Sequence, residues 1–187
     1  MRSTFDQIRT ALASAYPVTL LVSPEEDRQE QLLRRFAAAA KPNELPVMVW
    51  NCVDGFIGHD GADLRDPMRA LAWIGESGPR GLYLLKDVGE MLGDRQLRRR
   101  LRDTAMKVRN TGRFLFLLQQ DAELPESIKP LTYVVVSLFP DDGEIRALVT
   151  GLLGQRAQDR SATERLVASL KGMSLTEAEH LLRRLLD

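Results

Sequence analysis

Five short apolar runs recur along the first three quarters of this chain of 187 residues, and they limit the folds open to it. The runs are residues 18–22, 47–50, 81–85, 114–118 and 133–136. Strands that are apolar throughout are typical of a parallel sheet covered on both faces. Segments with the apolar spacing of helices separate most of these runs, which predicts βαβ units. We therefore expect an α/β fold in which helices flank a five-stranded parallel sheet.

Helical patterns also stand before the first run and after the last one. The first covers about residues 3–15, with Ser3 as its N-cap, and ends before Pro17. Three more follow at about residues 144–153, 162–170 and 175–186. The sequence therefore predicts an α/β core over residues 1–140 and a small helical lid over residues 141–187.

The charge and cysteine content exclude several classes of protein. Lysine plus arginine and aspartate plus glutamate both number 26, so the overall charge favours neither nucleic acid nor an acidic partner. The single cysteine, Cys52, excludes an internal disulfide framework. Neither a signal peptide nor a run long enough to span a membrane is visible. We expect a cytoplasmic protein without a membrane partner.

The turn after the first apolar run lies where a P-loop would bind phosphate. A P-loop reads G-x-x-x-x-G-K-[ST], but residues 23–30 contain neither glycine nor lysine. Glu25, Glu26 and Asp27 instead place three carboxylates there. The sequence predicts a capping box, with Ser23 as the N-cap and Glu26 reaching back to it. We therefore expect a phosphate site that the chain itself has closed.

The order of five strands followed by a lid resembles a P-loop NTPase of the AAA+ type. On that resemblance, residues 23–30 take the Walker A position and residues 82–87 the Walker B position. Lys86 then stands where a magnesium-binding aspartate belongs, Asp87 where the catalytic glutamate belongs, and Gln119 at the sensor position. No arginine finger is found in residues 129–133. The resemblance thus implies no catalytic residue, no metal site and no tight binding of ATP or ADP with magnesium.

A closer resemblance is to the degenerate first domain of two-domain AAA+ proteins from cyanobacteria, plastids and other bacteria. It rests on residues 16–17, 49–56, 84–87, 99–103 and 175–179. It implies a domain that is not an enzyme by itself and that serves protein interaction, assembly or regulation of an ATPase machine. The active ATPase domain would lie downstream or in a protein partner, in an oligomer in some arrangements. Two alternatives stay open: nucleotide binding without hydrolysis, and a nucleic-acid accessory role.

A strongly basic helix over about residues 94–109 is the main local charge feature. Its candidate contact residues for a protein partner or nucleic acid are Arg95, Arg98, Arg99 and Arg102. Leu97, Leu101 and Met106 are expected on its buried face. Because no aromatic residue is interleaved for base stacking, a protein partner is favoured over nucleic acid.

Several other residues have both a functional and a structural interpretation. Phe56 and Ile57 resemble a substrate-gripping pore loop, although core packing is the more common role of such residues. Asp87 and Glu90 could act as a general base and its partner, or simply end a strand and begin a turn. The acidic loop matches no metal-ligand spacing; its residues are Asp54, His59, Asp60, Asp63 and Asp66. Structural roles are expected for Cys52, Trp50 and Trp73 in the core and for His180 in the last helix.

Overall fold

The computed structural model describes residues 3–39, 45–58, 62–137, 139–154 and 159–186. The chain divides into two compact units, Met1–Val136 and Ser137–Asp187. The first unit is an α/β sandwich, and the second is a group of helices. Each has its own apolar core.

The sheet of the first unit has six strands in the described part of the chain. They are β1 (Val18–Val22), β2 (Val47–Asn51), β3 (Gly55–Phe56), β4 (Gly81–Lys86), β5 (Arg113–Gln119) and β6 (Thr132–Val136). Their spatial order is β3-β2-β4-β5-β1-β6, and every pair is parallel except β2 with β3. The five-stranded parallel sheet is confirmed, and β3 is an antiparallel addition within a segment predicted to be a loop.

The short strand β3 exists because the chain reverses directly after β2. The Asn51 Oδ1 atom accepts hydrogen bonds from the backbone amides of Val53 and Asp54, at 2.9 and 2.8 Å. Gly55 has a φ of 76°, a left-handed conformation that glycine adopts without strain. This tight turn brings Phe56 beside Trp50.

Helices cover both faces of the sheet. They are α1 (Thr4–Ala13), α2 (Glu26–Ala39), α3 (Pro67–Glu76) and α4 (Arg95–Val108). Leu20 and Leu85 pack into one apolar cluster with residues of α3 and α4. Their neighbours Leu21 and Leu84 pack into the other cluster with residues of α1 and α2. Because successive residues of β1, β4 and β5 face opposite covered layers, these central strands are apolar along most of their length.

The second unit consists of α5 (Asp142–Leu153), α6 (Arg160–Ser169) and α7 (Leu175–Leu186). Their apolar faces meet in one cluster that includes Ile145, Val167 and Leu182. A capping box begins α5: the Asp141 side chain accepts a hydrogen bond from the Glu144 amide, and the Glu144 side chain accepts one from the Asp141 amide. No described helix has the length and apolar character needed to cross a membrane.

The structure corrects two assignments to the core and supports two others. Met106 is 52% exposed, because nine helical residues of 100° each place it opposite Leu97. Cys52 is exposed as well, because β2 ends at Asn51 and Cys52 lies in the turn beyond the sheet. Trp50 is fully buried, as predicted. Trp73 is partly buried and packs against the same cluster.

Candidate functional site

The turn between β1 and α2 does not form the predicted capping box. α2 begins at Glu26, and the Gln29 amide donates to the Glu25 carbonyl at 3.1 Å, so Glu25 takes the cap position. The Ser23 amide donates to the Gln119 carbonyl at 3.0 Å and is therefore not available to the Glu26 carboxylate. Ser23 as N-cap and Glu26 reaching back were wrong, because a contact with β5 decides how this turn bonds.

Two side chains of the first turns of α2, at the Walker A position, are buried. Gln29 stands at the position of the P-loop lysine and is fully buried, with its Nε2 atom donating to the Ser23 Oγ atom at 3.2 Å. The same oxygen accepts from the Glu25 amide at 3.2 Å. Arg28 is also buried, and its Nε atom lies 3.0 Å from the Glu25 carboxylate. The turn is thus packed and bonded by its own residues.

Lys86, at the end of β4, forms ion pairs with α2. Its Nζ atom lies 3.3 Å from the Oε2 atom of Glu30 and 3.5 Å from that of Glu26. The Lys86 side chain is 12% exposed, that of Glu30 21% and that of Glu26 53%. Glu30 also accepts from Arg34 at 2.9 Å. The central pair, Lys86 with Glu30, therefore lies largely out of water.

The protonation of Glu30 follows from these contacts. Burial alone would raise the pKa of its carboxyl group, but the hydrogen bonds and charges of Arg34 and Lys86 outweigh burial and lower the pKa. Glu30 is therefore a carboxylate at neutral pH. In the P-loop alignment Glu30 takes the Ser/Thr position and Lys86 the aspartate position, both of which hold magnesium. A lysine ammonium thus joins two positions that would otherwise share a metal ion.

Asp87, the residue after Lys86, faces the turn that follows β2. It has a φ of 68°, the left-handed conformation that aspartate tolerates better than most residues. Its carbonyl accepts from the amides of Glu90 and Met91, which begins a 3₁₀ turn over Glu90–Gly93. Desolvation and the neighbouring Asp87 carboxylate raise the pKa of the Cys52 thiol. The Asp87 carboxylate is thus near enough to the Cys52 thiol to act on its pKa, and Glu90 lies exposed on the turn.

Gln119, at the sensor position, organises the loop after β5. It is 8% exposed, and its Nε2 atom donates to the carbonyls of Asp121 and Glu123, both at 2.9 Å. Its Oε1 atom packs against Gly89, where an added Cβ atom would lie 1.7 Å away. The Gln119 carboxamide is thus held between Gly89 and its own loop.

The four candidate arginines of α4 differ in their contacts. Asp94 caps the helix by accepting from the amides of Gln96 and Leu97. Arg98 donates to the Leu92 carbonyl at 3.2 Å, and Arg99 pairs with Asp103 at 3.1 Å. Arg95 and Arg102 are exposed and have no ion pair within the described residues.

The remaining candidates separate into core and surface residues. Phe56 is 4% exposed, with its ring 4.9 Å from that of Trp73, whereas Ile57 is 55% exposed. Asp54 accepts from Asn51, and Asp66 caps α3. His59 and Asp60 lie outside the described residues. Among the residues that are described, no group of three or more His, Cys, Asp or Glu could hold a metal ion.

The sequence pointed to Lys86 and Glu26 but missed Glu30, Arg28 and Gln29. A signal for Glu30 was present, since it lies one helical turn after Glu26 and therefore on the same face. A second signal was that the residues at both magnesium-ligating positions differ in charge from those of a P-loop NTPase. A carboxylate stands at one magnesium-ligating position and a lysine at the other, which indicates a salt bridge between them.

Curated relatives match this chain over almost all its length. The AAA domain-containing protein ycf46 of Trieres chinensis is 26% identical over 188 residues, covering 97% of this chain and 37% of that protein. Its counterpart in Guillardia theta is 24% identical over 183 residues, covering 94% of this chain and 36% of that protein. The chain therefore spans little more than a third of the length of these relatives.

Solved structures share the fold at low identity. A chain described under "Structural Basis for Katanin Self-Assembly" has a TM-score of 0.58 and 13% identity, covering 92% of this chain and 58% of that one. The AAA domain of FIGL-1 in complex with ADP has a TM-score of 0.57 and 16% identity, covering 96% and 64%. The family model of the SpoVK-like AAA ATPase N-terminal domain matches residues 4–137. The chain belongs to this family of AAA ATPase N-terminal domains.

Proposed function

We propose that this domain is non-catalytic and serves protein interaction, in the assembly or regulation of an ATPase machine. The observation that carries the proposal is the ion pair between Lys86 and Glu30. Phosphoryl transfer depends on a phosphate clamp and on magnesium, which together neutralise the developing charge. An ammonium held between the two metal-ligating positions repels a second cation and already neutralises the carboxylate there.

The phosphate side of the site supports the same proposal. The first turn of α2 carries Glu26 and Asp27, whose charges oppose those of a phosphate at a helix N-terminus. Gln29 supplies no positive charge, and its carboxamide is bonded to Ser23. Neither ATP nor ADP with magnesium is therefore expected to bind tightly, and the domain by itself is not an enzyme.

The partner in this proposal is a protein. The curated relatives are almost three times as long as the matched region, so an active ATPase domain downstream in the same protein is one candidate partner. An ATPase subunit of an oligomer is another. A cytoplasmic location belongs to the same proposal and fits the low cysteine content.

Isothermal titration calorimetry with ATP and with ADP, each with and without magnesium, tests the proposal. We expect no binding at nucleotide concentrations up to about 1 mM, a limit equivalent to about −4 kcal/mol. A micromolar dissociation constant that depends on magnesium would overturn the proposal. Micromolar binding without hydrolysis would instead support the role of a nucleotide-binding domain.

A matched variant identifies what closes the site. Lys86→Asp with Glu30→Thr restores metal-ligating residue types at both positions and removes the ion pair. If this variant alone gains magnesium-dependent binding, the ion pair is the element that excludes the metal.

A further inference from the structure

Helix α4 concentrates positive charge in a chain whose total charge is zero. Residues 94–109 contain seven basic and two acidic side chains, a net charge of +5. A local excess of this size creates a positive potential that attracts an oppositely charged partner and speeds its association. The whole-chain charge conceals this feature.

Only part of that charge is satisfied within the molecule. Arg98 donates to the Leu92 carbonyl, Arg99 pairs with Asp103, and Lys107 pairs with Glu76 of α3. Three other arginines are exposed, and their side chains have no hydrogen bond or ion pair within the described residues; they are Arg95, Arg102 and Arg109. Arg95 and Arg102 are seven residues apart and lie on one face of the helix about 10 Å from each other, and Arg109 is the residue that directly follows its last turn.

An exposed apolar side chain lies within the same face. Met106 is 52% exposed and lies between Arg102 and Arg109 along the helix. Arginine and methionine are both enriched in protein interfaces, where an apolar centre is surrounded by polar and charged groups. We call Arg95, Arg102, Met106 and Arg109 the α4 stripe.

The chemistry of the α4 stripe favours a protein over a nucleic acid. A methionine among the arginines gains from apolar contact with a side chain, whereas a phosphate backbone offers it none. The helix has no aromatic residue on which bases could stack. Three arginines at two-turn intervals match carboxylates spaced along a partner helix.

We infer that the α4 stripe is a docking surface for an acidic, amphipathic segment of a partner protein. Carboxylates of that segment pair with the three arginines, and an apolar side chain covers Met106. The inference rests on the proposed function as an interaction domain. It uses none of the residues that close the nucleotide site, so the two can fail separately.

Fluorescence anisotropy on the full chain tests the inference with three labelled probes. The first is a helical peptide of 18 residues with glutamates at seven-residue intervals and a leucine near its centre. The second has glutamine in place of each glutamate, and the third is a DNA duplex of 20 base pairs. We expect the first peptide to bind at least about tenfold more tightly than either other probe, with an affinity that falls as salt rises.

Two triple variants distinguish the effect of the α4 stripe from that of the positive charge of the whole chain. Arg95→Gln, Arg102→Gln and Arg109→Gln together should weaken binding of the first peptide about tenfold. Met106→Ser alone should weaken it severalfold, through lost apolar contact. The control combines Arg9→Gln, Arg165→Gln and Arg184→Gln, which removes the same charge from other helices and should leave binding unchanged. Circular dichroism verifies that each variant folds.

Each contrary outcome overturns the inference. Unchanged binding by the α4 variant, or an equal loss in the control, would show that the stripe is not the docking surface. Tighter binding of DNA than of the acidic peptide, lost in the α4 variant, would assign the stripe to nucleic acid. No binding of the acidic peptide would reject the docking surface, whereas tight nucleotide binding in the calorimetric titration would reject only the proposed function.

Discussion

Replacing Lys86 by methionine removes the ammonium that joins β4 to α2 and keeps most of the side-chain volume. Removing one partner of a fully buried ion pair costs about 3–5 kcal/mol, whereas an exposed pair contributes about 0–1 kcal/mol. The Lys86 side chain is 12% exposed and that of Glu30 is 21% exposed, so this ion pair is closer to a buried pair than to an exposed one. Glu30 keeps Arg34 as a partner, which offsets part of the loss. We therefore expect Lys86→Met to lower the free energy of unfolding by about 1–2 kcal/mol.

Urea unfolding of a double-mutant cycle measures this coupling. The cycle compares Lys86→Met, Glu30→Gln and the double variant, and we expect a coupling energy of about 1 kcal/mol. Glu26→Gln is the matched control, because Glu26 is 53% exposed and its carboxylate lies farther from the ammonium. Its coupling to Lys86 should stay below about 0.5 kcal/mol.

The coupling should also depend on pH. The pKa of Glu30 is lowered in the folded protein from its ordinary value of 4.5, so its contribution to stability is fully present above that value. It is lost as pH falls through the lower pKa of the folded state. The stability difference between the wild type and Glu30→Gln should thus be constant from about pH 6 to 8 and shrink below about pH 4.5. A coupling of zero, or one that does not change in acid, would refute the account of this ion pair.

Three further predictions concern the residues around the site. Gly89→Ala should destabilise the protein by about 1–3 kcal/mol in urea unfolding, because its Cβ atom would lie 1.7 Å from the Gln119 Oε1 atom. Adding Gln119→Ala should recover part of that loss, and strict additivity would contradict the contact. Burial raises the pKa of Tyr83 to about 12 against the opposing charge of Arg113, so an absorbance titration should show a tyrosine ionising near pH 12 that Tyr83→Phe lacks. Because folding raises the pKa of Tyr83, the contribution of its neutral hydroxyl to the free energy of unfolding is complete below about pH 10. It is lost as pH rises towards 12. Asp87→Asn should lower the pKa of the Cys52 thiol and speed its alkylation by iodoacetamide at pH 8 about twofold or more; equal rates would exclude the interaction.

The parallel sheet could be predicted because its three central strands, β1, β4 and β5, are buried on both faces along almost all their length. Leu20 and Leu21 are neighbours in sequence, yet each is fully buried in a different apolar cluster. In a chain with helices between its strands, a strand that is apolar on both faces fits few arrangements other than a parallel sheet covered on both sides. β3 could not be predicted, because a strand of two residues has no periodicity and depends on the side chain of Asn51.

The contacts at the Walker A and Walker B positions could be predicted only in part, since several of them join residues far apart in the chain. The capping rule assigned Ser23 from its neighbours alone, but its amide bonds to the carbonyl of Gln119. Lys86 was identified as incompatible with magnesium, but its pairing with Glu30 was missed, because the pair depends on the contact between β4 and α2 and the sequence signals it only through the charges at the two positions. Local sequence therefore indicated which P-loop residue types are absent, and the tertiary structure showed which side chains contact one another at those positions.

We propose that the ammonium group of Lys86, and not magnesium, is the cation between β4 and α2. Thermal unfolding with 5 mM ADP and magnesium tests it most directly, because a ligand that binds the folded state raises its stability. A dissociation constant of about 10 μM would add about 4 kcal/mol at that concentration, a rise in melting temperature of roughly 8–16 °C. We expect the melting temperature to change by less than about 1 °C, no more than it changes with magnesium alone. A rise of several degrees that requires both ADP and magnesium would contradict it.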